Sequence, residues 1–140
     1  MSAALVPEFA VSNWRLSKHF YCEVLGFDCL YERAEEGFCY LGLGDAELMI
    51  EQLGVGRRFD DGEAPLGYPF GRGLNVQIRV PQVDPIVAAL AQAQIPLVLP
   101  VEDRWYRKNE VEVGNRQFVV ADPDGYLLRF YEDLGGGRGA

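Results

Sequence analysis

Histidine is almost missing from this 140-residue chain: His19 is the single one. A His-based zinc centre, a Ser-His-Asp triad or a Cys-His pair needs an imidazole set beside other reactive groups. His19 lies between Lys18 and Phe20 in a helical stretch, where a surface position is expected. Cysteine is scarce as well. Cys22, Cys29 and Cys39 are odd in number and form no CxxC, so they read as structural thiols of a protein in a reducing cytoplasm. No glycine-rich phosphate loop precedes a helix, and Gly71-Arg-Gly73 before a strand is too short to count as one. No apolar run reaches the roughly 18–20 residues of a membrane span. Met1-Ser-Ala-Ala-Leu-Val runs into a strand rather than forming a signal peptide. Positive charge is short, with 13 Lys and Arg against 21 Asp and Glu, a net charge of −8. That speaks against a nucleic-acid partner; it fits a cationic ligand or simple solubility.

The chain is rich in apolar residues, 49%, with 12% aromatic, so a packed globule is expected. Its last third organises it. Phe118-Val-Val is a β-branched apolar run, Asp122-Pro-Asp-Gly125 is turn chemistry, and Tyr126 to Tyr131 resumes as a strand. Arg129 is the lone charge inside that strand, on the face of Leu127 and Tyr131, and needs a partner or a wet cavity. Glu36 to Glu51 repeats the design: strand, Gly44-Asp45 turn, strand, closing acid. The chain therefore reads as two copies of one unit.

In order, Leu5 to Val11 reads as a strand and Ser12-Asn13 as a helix cap. Trp14 to Val24 reads as a helix with a Leu16, Phe20, Tyr21, Val24 stripe, stopped by Gly26. Phe27 to Tyr31 and the hairpin at Gly44-Asp45 complete a βαβββ unit. Leu53 to Arg72, with Gly54, Gly56, Gly62, Gly67, Gly71, Pro65 and Pro69, reads as a long loop, either a linker or a lid. Leu74 to Val80 opens the second unit, and Asp84-Pro85 caps a helix to Ala93. Ile95 to Val101 reads as a Pro-broken edge strand, followed by the basic aromatic segment Arg104 to Lys108 and the closing hairpin. The terminal Gly-Gly-Gly-Arg-Gly-Ala is expected to fray. Glu51 and Glu132 end strands in what read as matching positions, and Glu8 lies in the first strand. Each is a candidate ligand or general base, or a solvated strand end.

Val6-Pro-Glu-Phe-Ala-Val-Ser-Asn13, Phe20-Tyr21, Leu25-Gly-Phe27 and Gln117-Phe-Val-Val-Ala-Asp-Pro-Asp-Gly125 together resemble the vicinal oxygen chelate superfamily, which includes glyoxalase I, extradiol dioxygenases and bleomycin-resistance proteins. The likeness runs from Leu5 to Leu134. It implies one α+β domain over residues 1–140, with βαβββ modules at 5–53 and 73–134, a linker at 54–72, and curved sheets enclosing a cleft. In the superfamily's enzymes four strands each give one metal ligand. The implied positions here are Val6 or Pro7, Glu51 or Met49, Asn75, and Arg129. A guanidinium stays protonated and does not ligate. No metal and no cofactor are therefore expected, and Glu51 and Arg129 are expected to pair across the cleft.

The resemblance then points to the non-catalytic, bleomycin-resistance branch: a cytoplasmic homodimer that sequesters a drug or metabolite in an aromatic-lined cleft. Phe38, Tyr40, Trp105, Phe118 and Phe130 are the candidate walls, and Met49, Glu51, Asn75 and Arg129 complete the candidate ligand contacts. Arg104, Arg107 and Lys108 make the Trp105 wall locally basic, which suits an anionic or neutral ligand. Two other readings stay open. One is a lyase or oxidoreductase of the same superfamily with Glu51 as base or an atypical metal site. The other is a regulatory module that binds a metabolite.

Overall fold

The computed structural model describes residues 3–56 and 65–139. The elements are β1 (Glu8–Val11), α1 (Trp14–His19) running into a π-helical turn (Phe20–Val24), β2 (Asp28–Arg33), a 3₁₀ turn (Ala34–Glu36), β3 (Phe38–Leu43), β4 (Ala46–Gln52), β5 (Asn75–Arg79), α2 (Asp84–Gln92), β6 (Leu99–Lys108), β7 (Val111–Ala121) and β8 (Leu127–Gly139). They form two four-stranded sheets, ordered β1-β4-β3-β2 and β5-β8-β7-β6. In each, the first strand runs parallel to the last and the others are antiparallel. The two βαβββ modules thus share one topology, and the fold is α+β. Two compact units result: Met1–Arg72 with Asp122–Gly125, and Gly73–Ala121 with Tyr126–Ala140. Part of the loop after Leu53, residues 57–64, lies outside the described residues, and with it the choice between linker and lid.

In the first unit Asn13 caps α1 by accepting the Leu16 N–H. The helix then widens into the π-helical turn, where Leu25 N donates to Phe20 O and Phe27 N to Tyr21 O. Leu16 is 53% exposed, while Trp14, Ser17, Phe20 and Tyr21 turn inward. The inward face runs through Trp14, Ser17 and Tyr21 at i, i+3 and i+7, so the expected stripe, begun at Leu16, was set on the wrong residue. Gly26 ends the turn at φ 90°, a conformation costly for side chains with a Cβ. Phe9, Val11, Cys39, Leu41, Leu48 and Ile50 line the helix-facing side of the sheet.

The second unit departs from the sequence reading at several points. Asp84 is the first helical residue rather than the cap; Val83 precedes it, and the Val83 N–H is taken by Glu132 Oε1 at 3.0 Å. Residues 95–98 are not strand. The pairing begins at Leu99, a bulge follows before Glu102, and the Arg104 to Lys108 segment belongs to the strand itself. The terminal glycines pair instead of fraying, with Val111 opposite Gly139. Phe118 stacks on Phe130 at 5.4 Å between ring centres, and both are fully buried with Val120, Leu128 and Ile78.

The Asp122–Gly125 turn carries the densest polar network of the first unit. Asp122 accepts from the Tyr21 hydroxyl at 2.7 Å and from Asp124 N at 2.9 Å. Asp124 accepts from the Ser12 hydroxyl at 2.5 Å and from Ser12 N at 3.0 Å, while its own carbonyl accepts from Phe70 N. Gly125 adopts φ 95°, and a Cβ there would lie 2.7 Å from Pro69 Cα, so glycine is required twice over. We expect Asp124→Ala to cost about 1–3 kcal/mol, because it takes the acceptor from both part-buried Ser12 bonds. Tyr21→Phe, which removes one donor, should cost about 1–2 kcal/mol. Urea unfolding checks both; equal, near-zero losses would show that the network is not structural.

Candidate functional site

The internal repeat decides which side chains face where. Trp14 N, at the start of α1, donates to Gln52 Oε1 at 2.9 Å, just as Val83 N donates to Glu132 Oε1. Gln52 opposite Val11 is therefore the counterpart of Glu132, not Glu51. Side chains alternate along a strand, so this single-residue offset exchanges faces. Gln52 and Glu132 turn toward the helices. Glu51 turns the other way, beside Met49, and Arg129 shares its strand's outer face with Leu127 and Tyr131. The matching positions inferred from sequence, Glu51 with Glu132, are corrected accordingly.

The same offset pairs Val6 with Asn75 and Met49 with Arg129. The four positions implied for a metal are thus a branched alkyl group, a thioether, an amide and a guanidinium. A hard or borderline divalent cation takes carboxylate, imidazole or thiolate donors. This set does not fit one.

On the outer face of the first sheet, Phe38, Tyr40, Met49 and Glu51 do come together: Phe38 lies opposite Glu51, and Tyr40 opposite Met49. Phe38 and Tyr40 are buried at 2% and 7%, beneath residues that the sequence reading passed over. Tyr31, half exposed, stacks on Tyr40 at 5.0 Å and 14°, and the Arg33 guanidinium sits 4.1 Å from the centre of the Phe38 ring. The Tyr40 hydroxyl is already donated to Glu47 at 2.5 Å. Tyr31 and Arg33, not Phe38 and Tyr40, present the accessible surface. Their signal was the outer-strand alternation of Tyr31 and Arg33, which a strand ending at Tyr31 hid.

Glu51 is half-buried, and a Cβ at Gly56 would run into its carboxylate. Burial pushes its carboxyl above the usual range; the Glu8 and Glu36 carboxylates add to this, and Arg33 opposes it. Glu8 is diagonal to Glu51 across the β1–β4 pair, with Glu8 opposite Met49 and Ala10 opposite Glu51.

On the outer face of the second sheet Asn75 and Arg129 are joined by Gln77, Val119, Gln117 and Tyr131, with Gln77 and Val119 flanking Arg129. Gln117, 2% exposed, donates its amide to Glu102 at 2.9 Å and to the Tyr106 hydroxyl at 2.7 Å. A carboxylate only accepts, so the amide orientation is fixed. Among the described residues Gln117 Oε1 is then left buried without a hydrogen-bond partner, and so is Arg129 Nε. They are diagonal neighbours across β7 and β8, roughly 7 Å apart. Leaving each unsatisfied would cost about 1–3 kcal/mol, so the two atoms call for a partner, water included.

Trp105 and Phe118 stand apart from this group. Phe118 is core, 0% exposed, because its strand parity points it with Phe130 toward the helix side. Trp105 shares that parity through the Trp105–Gly114 pairing, and its ring covers Gly114, where a Cβ would lie 2.8 Å from it. Both expectations of a groove wall give way to register. Glu132 is occupied as the helix partner, and His19 is exposed as expected.

Twin βαβββ modules with this strand order define the paired-module class of α+β proteins. Residues 6–130 match the model of the Glyoxalase/Bleomycin resistance protein/Dioxygenase superfamily, and the chain belongs to that family. A superfamily member from Vibrio splendidus is 32% identical, over 92% of this chain and 97% of that one, with a TM-score of 0.42. TioX from Micromonospora is similar in fold at 21% identity, over 94% and 100% of the two chains, with a TM-score of 0.69. So is lactoylglutathione lyase from Agrobacterium tumefaciens, at 16% identity, 94% and 95% coverage, and a TM-score of 0.61. No functionally curated protein matches. Among the described residues no helix is long and apolar enough to cross a membrane.

The raised Glu51 carboxyl has a definite sign. An acid whose folded value exceeds its unfolded value is strained when ionised, so the penalty is present at neutral pH and vanishes as the acid protonates. Glu51→Gln should raise the melting temperature at pH 7 by about 1–3 °C. The gain should disappear below about pH 4. Melts at the two pH values test this; a loss at pH 7 would mean that the carboxylate has a favourable partner.

Proposed function

We propose that this chain is a non-catalytic small-molecule-binding member of its superfamily, one that sequesters a drug or metabolite in the manner of bleomycin-resistance proteins. The observation that carries this is the outer face of the second sheet. Where an enzyme of the family would need a ligating acid, it has Arg129, whose Nε, like the neighbouring Gln117 Oε1, has no hydrogen-bond partner among the described residues. Such a pair asks for a ligand that presents an oxygen acceptor to Arg129 and an N–H or O–H donor to Gln117. Tyr31 and Arg33 on the first sheet offer a separate surface for a flat ring. The net charge of −8 favours the approach of a cationic molecule such as bleomycin at long range. Cytoplasmic location and a homodimer complete the reading, the latter checked by sedimentation.

A second reading has its own support. Glu51, with its raised carboxyl and Glu8 close by, has the make-up of a general base. A lyase-like activity lost in Glu51→Gln but kept in Arg129→Met would favour it.

Calorimetric titration with metal-free bleomycin tests the first reading. Saturable binding at micromolar concentration, about −8 kcal/mol, is the expected result. Arg129→Met should weaken it at least tenfold, because it removes a charge-assisted hydrogen bond worth about 1.5–3 kcal/mol. No heat at any accessible concentration together with no protection of cells expressing the protein would overturn bleomycin sequestration. A stoichiometric divalent ion that is lost in Asn75→Ala would overturn the non-metal assignment.

A further inference from the structure

The three cysteines were read from sequence as separate structural thiols. Two of them are brought together with a carboxylate, on the helix-facing side of the first sheet, away from the Met49 and Glu51 face. Cys39 in β3 lies opposite Glu32 in β2, and Cys29 lies opposite Leu41, two residues along from Cys39. Cys29 and Glu32 are three apart, so in a regular strand they would point to opposite faces. The bulge between Cys29 and Tyr31 inserts the extra residue that puts both on one face. The Cys29, Glu32 and Cys39 donor atoms consequently lie within 4.8 Å of one another. Cys29 Sγ is 3.7 Å from Glu32 Oε1. Cys39 is buried, Cys29 half-buried and Glu32 exposed, which gives the group a closed floor and an open mouth.

We infer that Cys29, Glu32 and Cys39 form a site for a soft or borderline divalent cation, Zn²⁺ or Cd²⁺. Two sulfurs and one carboxylate select this class over Mg²⁺ or Ca²⁺, which want oxygen throughout. With metal–sulfur bonds of about 2.3 Å and metal–oxygen bonds of about 2.0 Å, tetrahedral ligand atoms stand roughly 3.3–3.8 Å apart. Closing the trio around an ion therefore takes movements of about 1 Å or less, concentrated on the exposed Glu32 side chain. The fourth position is open to water. Both thiols ionise on binding, so the cation replaces two protons, which go to solvent. Two thiolates and the carboxylate carry three negative charges against two from the ion. Lys18, whose Nζ lies 2.5 Å from Glu32 Oε1, supplies the remaining positive charge from the outer side of the site. The site is independent of whatever binds the Arg129 face.

Titration of the fully reduced protein with Cd²⁺ tests this through the ultraviolet thiolate-to-metal charge-transfer band and, with a pH indicator, through proton release. The expected result is a band that saturates at one equivalent, two protons released, and competition by Zn²⁺. Cys22→Ser, outside the trio, should keep the band. Cys29→Ser should lose it, and Glu32→Gln should weaken binding at least tenfold. Cys39→Ser should lose it too; because Cys39 is buried, its loss also disturbs the core, so half-buried Cys29 carries the decision. No saturating band in the unaltered chain, or a band that persists in Cys29→Ser, would overturn the site.

Discussion

The first unit depends on two carboxylates that have been taken out of water. Asp122 and Asp124 are both buried, and each of their four oxygens receives one donor: the Tyr21 hydroxyl, Asp124 N, the Ser12 hydroxyl and Ser12 N. Buried carboxylates are tolerable only when so satisfied. Meeting that demand fixes the end of β1, the widened turn after α1 and the turn between β7 and β8 in one arrangement. Tyr21, in the π-helical turn, supplies one of the donors, and Gly125 lets the backbone pass close to Pro69. The Asp-Pro-Asp-Gly segment is thus conformational machinery first.

A second constraint, repeated in both modules, is the side-chain acceptor that meets the start of each helix. Gln52 and Glu132 each close an open N–H at a helix N-terminus. With those residues committed to the helix side, strand alternation commits their neighbours to the opposite face. Met49, Glu51, Arg129 and Tyr131 are where they are because Gln52 and Glu132 are where they are. The chemistry of the outer faces then differs between modules. The first gathers carboxylates and a stacked aromatic group under Arg33. The second gathers Arg129 and Gln117, each with an atom that has no partner among the described residues.

The sequence by itself determined the doubling, the strand–helix order, the turn at Asp122 to Gly125 and the shortage of imidazole. These follow from residue types and local spacing, which act over a few positions of chain. Of the eight candidate ligand contacts, Phe38, Tyr40, Met49 and Glu51 share one face of one hairpin, which the β3–β4 register brings about. Tertiary structure decided what depends on register and bulges. It put Trp105 and Phe118 on the face opposite Arg129 and turned Glu132 into a helix partner. It covered Phe38 and Tyr40 with Tyr31 and Arg33, and set Gln117 beside Arg129. The bulge in β2 that joins Cys29 to Glu32 and Cys39 is the clearest case. One inserted residue reverses the face of everything before it, and hydropathy patterning carries no mark of where pairing will slip.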